Sequence, residues 1–169
     1  MKKLWSLSVL VIPIIVFVLF TCCQPIDNGG SGSFNYDGTT YPLTNGALED
    51  WGRGDFDVLL ASSGLNAALW KGVGNVVWFD LVAPSNVGAP GTYDWAGTDG
   101  FTLWEGAISF NFNADTDTGT WIDADWSGAA SGDYVTISLN GSTYAIEFSV
   151  TLLGGKVVTG SYTGAMPVV

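Results

Sequence analysis

The chain has 169 residues, 47% of them hydrophobic and only 12% charged, with sixteen acidic against five basic residues and a net charge of −11. So acidic a balance repels nucleic acid and anionic headgroups, and sets both aside as partners. Histidine is absent and the two cysteines are adjacent near the N-terminus, which excludes Ser-His-Asp triads, Cys-His dyads, His-ligated metals and any disulfide staple in the body of the chain.

Met1-Lys2-Lys3 precedes a nearly unbroken apolar run from Val9 to Phe20. This is the charged n-region and apolar h-region of an export signal, and the run falls short of the roughly 20 apolar residues of a membrane span. Leu19-Phe20-Thr21-Cys22 resembles the lipobox of bacterial lipoproteins. The resemblance implies cleavage before Cys22, lipidation of that cysteine, and anchoring by its acyl chains, two lipid signals being enough for a stable anchor. Cys23 is the alternative acceptor; a signal cleaved elsewhere and an uncleaved anchor are the other readings. The organisation expected is a lipoprotein signal peptide over 1–21, a lipidated cysteine and flexible tether over 22–33, and one all-β domain over 34–169. The expected location is a bacterial cell envelope, at the outer membrane, with the domain outside the cytoplasm. Loss of 1–21 leaves three basic residues, Arg53, Lys71 and Lys156, against sixteen acids, a net charge of −13.

Beyond the tether no segment shows a 3.6-residue apolar period, and 23 glycines punctuate short strand signals. Residues 34–36, the turn Asp37-Gly38 and residues 39–43 read as a hairpin. Strands are expected at 47–53, 56–62, 69–71 and 75–82, then at 92–95, 101–104, 108–113 and 120–126. In the strongest of these, 75–82 (NVVWFDLV), Trp78 is expected in the core. The last third predicts a meander. Val135, Ile137 and Leu139 share a face, Asn140-Gly141 supplies a type I′ turn, and Tyr144, Ile146, Phe148, Val150 and Leu152 share the next face. Gly154-Gly155 then turns the chain back over 156–166. About ten short strands predict an antiparallel, meander-rich β-sandwich or flattened β-barrel. In Gly160-x-Tyr162-x-Gly164, glycine beside Tyr162 leaves room for a facing aromatic or a tightly curled strand.

Few motifs carry chemistry. Asp115 and Asp117 could offer oxygens to a hard cation, but an EF-hand frame from Asn113 puts Thr118 and Ala124, and one from Asp115 puts Thr120 and Trp126, where Gly and Glu are needed. A solvated hairpin loop is the expectation, with a weak cation site as the alternative. Carboxylate pairs among Glu49, Asp50, Glu105 and Glu147 are the only basis for glycoside hydrolysis, and nothing in the sequence brings two of them together. No catalytic residue and no cofactor is expected. Tryptophans beside aspartates, Asp50-Trp51, Asp94-Trp95 and Asp125-Trp126, together with Trp104 and Trp121, offer flat apolar faces next to hydroxyl acceptors. That is the chemistry of a sugar-binding surface; core or rim packing is the competing reading.

The lipobox and short Gly/Ser tether are joined by an opening Tyr36-Asp37-Gly38-Thr39-Thr40-Tyr41-Pro42-Leu43, a central Gly91-Thr92-Tyr93 and a closing Gly155-Lys156-Val157-Val158-Thr159-Gly160-Ser161-Tyr162-Thr163-Gly164. With these features the chain resembles a loose class of small Gram-negative cell-envelope lipoproteins of uncharacterised function. The resemblance implies a membrane-tethered all-β domain and carries over no site residues. The function expected is a non-enzymatic binding module for a glycan or another neutral ligand. A structural subunit of an envelope complex, docking onto an envelope protein, is the alternative, and a glycoside hydrolase a remote one.

Overall fold

The structure, a computed structural model, describes residues 29–125 and 132–169. Residues 1–21, where a signal peptide is expected, Cys22 and Cys23, and Trp126 lie outside the described residues. Two antiparallel sheets pack face to face as a β-sandwich that does not close into a barrel.

Sheet A runs in the order β2 (Thr39–Leu43), β1 (Ser31–Tyr36), β12 (Val157–Gly164), β11 (Thr143–Thr151), β10 (Tyr134–Asn140) and β7 (Gly91–Tyr93). Sheet B runs β3 (Asn45–Gly52), β4 (Asp55–Ala61), β6 (Lys71–Val82), β8 (Thr102–Asn113) and β9 (Thr118–Asp123), with the short β5 (Leu65–Asn66) paired to the start of β6. The period-two pattern of each strand sends one set of side chains between the sheets. Phe56, Val58, Leu60, Val77, Phe79 and Leu81 of sheet B meet Phe34, Val135, Ile146, Phe148, Val150 and Tyr162 of sheet A in one core. Edge-on aromatic pairs join the layers, Phe79 to Phe148 at 5.1 Å and Phe56 to Tyr93 at 5.8 Å between ring centroids.

Several expectations need correction. The tether ends earlier than expected, because Ser31, Gly32 and Ser33 are paired with β12 on one side and Gly32 and Ser33 with β2 on the other. Glycine there serves close approach: a Cβ on Gly32 would sit 2.1 Å from the Ser161 carbonyl oxygen. Leu69 and Trp70 form a turn, and of the strand expected at 69–71 only Lys71 is in one, as the first residue of β6. The segments expected at 101–104 and 108–113 are one long strand, β8, running through Gly106. The Asn140-Gly141 turn is different too: Asn140 pairs with Thr143, and of the loop residues Gly141 alone has positive φ, at 63°. Glycine at the first central position is the type II′ pattern, whereas Asp37-Gly38, with φ of 50° and 76°, is the type I′ loop. Leu139, near that turn, is exposed. The facing aromatic expected at Gly160 is Phe148, its cross-strand partner, whose ring would lie 2.5 Å from an added Cβ.

Candidate functional site

The two sheets differ on their outward faces, and the difference comes from β8. Ile108 and Phe110 point into the core, and a regular strand would send Phe112 the same way. Asn111 intervenes with φ of 51°, and the pairing slips by one residue against both β6 and β9. This β-bulge turns Phe112 to the outer face, where it lies 5.2 Å from Trp70 and 5.0 Å from Trp121. A second bulge makes Trp104 the extra residue between the Asp80–Glu105 and Leu81–Leu103 pairs. With Leu103 and the Gly106 position facing the core, Glu105 is turned outward.

A second apolar cluster forms on that outer face. Ala47, Leu59, Ala61, Val76 and Phe112 are covered by the β4–β6 connection, through Leu65 and Ala67. Asn45, buried at 4% exposure, ties this connection down. Its Nδ2 donates to the Leu65 carbonyl at 2.9 Å, and its Oδ1 accepts from the Ala67 amide at 2.8 Å. The connection ends on Trp70, whose φ of 46° is uncommon for a bulky side chain and holds the indole over Phe112.

Between this connection and β3 opens a cleft of about 790 Å³, walled by Trp51, Trp70, Trp78 and Trp121, with Leu69 at its rim. Glu49, Asp57 and Asp123 supply its carboxylates. Sheet register extends the acidic set: Glu49 pairs with Asp57, Asp57 with Asp80, and Asp80 with Glu105, so four carboxylates stand in one row across four strands. Like charges directly opposite one another are destabilising. Burial, followed by the neighbouring Asp57, raises the carboxyl of Glu49 above its ordinary range. Burial also raises Asp57; indole N–H donation from Trp78 and Trp51 pulls the other way, and Asp55 adds to the rise. Glu105 is raised by burial, Asp123 and Asp57. Asp80 is pushed up to about 6 by burial, then by Asp57, Asp55 and Glu105. Its carboxyl shares a hydrogen bond with Asp55, while its Oδ1 is buried with no partner among the described residues. Among the described residues no Lys or Arg lines the cleft; Lys156 is paired with Asp37 at 2.6 Å on the rim of sheet A.

Of the residues expected to bind ligand, the structure brings Trp51 and Trp121 into the cleft. Trp51 is 62% exposed, and Trp104, beside Glu105 in the chain, is 55% exposed. Trp95 is a packing residue instead: its indole donates to Asp133 at 3.1 Å and its ring lies against the core. Two of the Asp-Trp aspartates serve local structure. Asp50 Oδ1 accepts from the Gly52 amide, and Asp94 Oδ1 accepts from the Thr98 amide, with the Thr98 hydroxyl foremost in lowering the Asp94 carboxyl. The Asp125 backbone donates to the Thr151 carbonyl at 3.0 Å. Asp115 Oδ2 accepts from the Gly72 amide and Asp117 occupies a positive-φ turn position, and no group of three potential metal ligands occurs among the described residues. Glu147 lies on the outer face of sheet A, apart from Glu49 and Glu105.

Trp78 corrects the sequence reading, for it faces the cleft rather than the core. Its signal was present in NVVWFDLV: Trp78 and Asp80 share one face by the period-two rule, opposite Val77, Phe79 and Leu81. Trp70, Asp57 and Asp123 had no such local signal. No protein-family model, curated protein or solved structure matches this chain.

Proposed function

We propose that the chain is a lipoprotein of the bacterial cell envelope, tethered through Cys22, whose β-sandwich is a non-enzymatic glycan-binding module with its site on the outer face of sheet B. The observation that supports this reading is the cleft itself, in which four tryptophans and three carboxylates converge. An indole stacks on the apolar face of a sugar ring, and carboxylates accept hydrogen bonds from its hydroxyls. A glycan array probed with the full chain in detergent tests it. Binding to at least one glycan class, abolished by Trp51→Ala with Trp121→Ala, is expected; an array without a hit overturns the reading. The anchor has its own measurement. Cys22→Ser is expected to release the protein from membranes and end labelling by a fatty-acid analogue, and continued labelling would overturn the assignment to Cys22.

The carboxylate row favours a second reading, glycoside hydrolysis. Residues opposite each other on neighbouring strands have Cα atoms about 4.5–5.5 Å apart, a scale that suits the roughly 5 Å carboxyl separation of a retaining glycosidase. Release of reducing sugar by the full chain, lost in Asp80→Asn, would establish it. Docking by strand addition draws less support. Of the edge strands, β2 has 5 residues including Pro42 and β7 only 3, and β3 is flanked by the chain end through Leu48–Pro167 and Val169–Leu48 backbone hydrogen bonds of 2.9 Å, which leaves the 6-residue β9 as the one edge suited to it.

A further inference from the structure

We infer that the ligand of this cleft is an oligosaccharide carrying free amino groups, its ammonium groups set against Glu49 and Asp57 in the cleft and the row that continues beyond it through Asp80 to Glu105, and its sugar rings on the tryptophans. The inference rests on the glycan-binding reading and deepens it by fixing the charge and length of the ligand.

Charge is the first consideration. Among the described residues no ion pair joins a base to the row: Lys71 starts β6 nine residues before Asp80, and Arg53 lies in the β3–β4 turn; Asp55 and Asp123 add further negative charge at its sides. Register sets these side chains directly opposite one another on neighbouring strands, where like charges are destabilising, so repulsion runs along the row. A neutral ligand filling the cleft would strip water from the partly exposed Glu49, while Asp57 is already buried against the Trp78 and Trp51 indoles, and it would leave that repulsion intact, which costs affinity. An ammonium group relieves it. Each one brings three donors and a positive charge, and an exposed indole such as Trp51 attracts it further through its π face.

Length is the second. Neighbouring strands lie about 4.8 Å apart, so four in a row span roughly 14 Å, which is longer than one sugar ring. A chain with an amino group on successive rings matches a line of carboxylates where a single cation would meet only one or two of them. Exposed tryptophans stand at both ends of this row: Trp51 follows Glu49 and Asp50 on β3, and Trp104 precedes Glu105 on β8.

The test is calorimetric titration of the full chain in detergent with a glucosamine tetramer, its fully N-acetylated counterpart and spermine, at low salt. The amino tetramer is expected to bind at least tenfold more tightly than the acetylated one and than spermine. Glu49→Gln with Asp57→Asn should remove that preference, and Trp51→Ala should weaken both sugars. Both carboxylates sit in unfavourable electrostatic surroundings, so their amides are expected to fold; a circular dichroism spectrum matching the parent checks this. Equal or tighter binding of the acetylated tetramer overturns the inference and leaves the glycan reading standing. Spermine binding as tightly as the amino tetramer overturns it in favour of a simple cation trap. Binding of none of the three overturns the inference, and the glycan array then decides the glycan reading separately.

Discussion

The outer faces of the two sheets are built by the same period-two rule and could hardly be less alike. Sheet A presents Ser33, Asn35, Glu147, Ser149, Thr159 and Ser161, short polar groups that water covers without difficulty. Sheet B presents tryptophans, a row of carboxylates and an apolar cluster that needs a loop to cover it. One face is what a sandwich needs in order to be soluble. The other carries unfavourable electrostatics and exposed indoles that folding does not require, and side chains placed against stability are the ones to examine for function.

The contrast can be broken at neighbouring positions of one strand. Phe79, facing inward, contacts Phe148 across the core, and Phe79→Ala is expected to cost about 3–5 kcal/mol, read as a large fall in the urea midpoint. Trp78, facing outward, should cost less on truncation to Ala but should impair ligand binding. Next in size is Asn45→Ala. Its removal strands the Leu65 carbonyl and Ala67 amide, at a cost of about 2–3 kcal/mol. It should also raise hydrogen exchange at 62–70, since that connection loses its tie to β3.

Asp80→Asn tests the carboxylate row with the opposite sign. The folded state holds the Asp80 proton more tightly than the unfolded chain does, its value lying at about 6 against an ordinary 3.8. The resulting stabilisation is present below about pH 4 and is lost as pH rises through about 6. The amide should therefore stabilise the protein by about 1 kcal/mol at about pH 7.5, allowing for solvent screening, and by little at about pH 3.5. Thermal melts at the two pH values check this. The smallest effect is expected on sheet A: Glu147→Gln, on the polar face, should stay within about 0.5 kcal/mol of the parent and leave ligand binding unchanged.

Much of the fold is legible in the sequence because strand alternation and Gly-containing turns are local. Val135-x-Ile137 and Ile146-x-Phe148-x-Val150 mark their inward face without any knowledge of their partners. The site is legible only in part. Trp51 and Trp121 stood out by residue type, but pairing each tryptophan with the aspartate beside it in sequence pointed to Asp50 and Asp94, which are occupied in turns. The relevant carboxylates lie across strands, where Glu49, Asp57, Asp80 and Glu105 come together through register. Register depends on bulges, and a single positive-φ residue such as Asn111 reverses the face of everything after it on its strand.

The most direct measurement is a nitrogen-15 NMR titration of the full chain with the glucosamine tetramer, following the indole N–H signals. Shifts at Trp51, Trp70, Trp78 and Trp121, with Trp95 unmoved on its Asp133 partner, are the expected result. Shifts at Trp95 or in the backbone of the outer face of sheet A, with the four cleft indoles unmoved, would contradict the assignment of binding to sheet B.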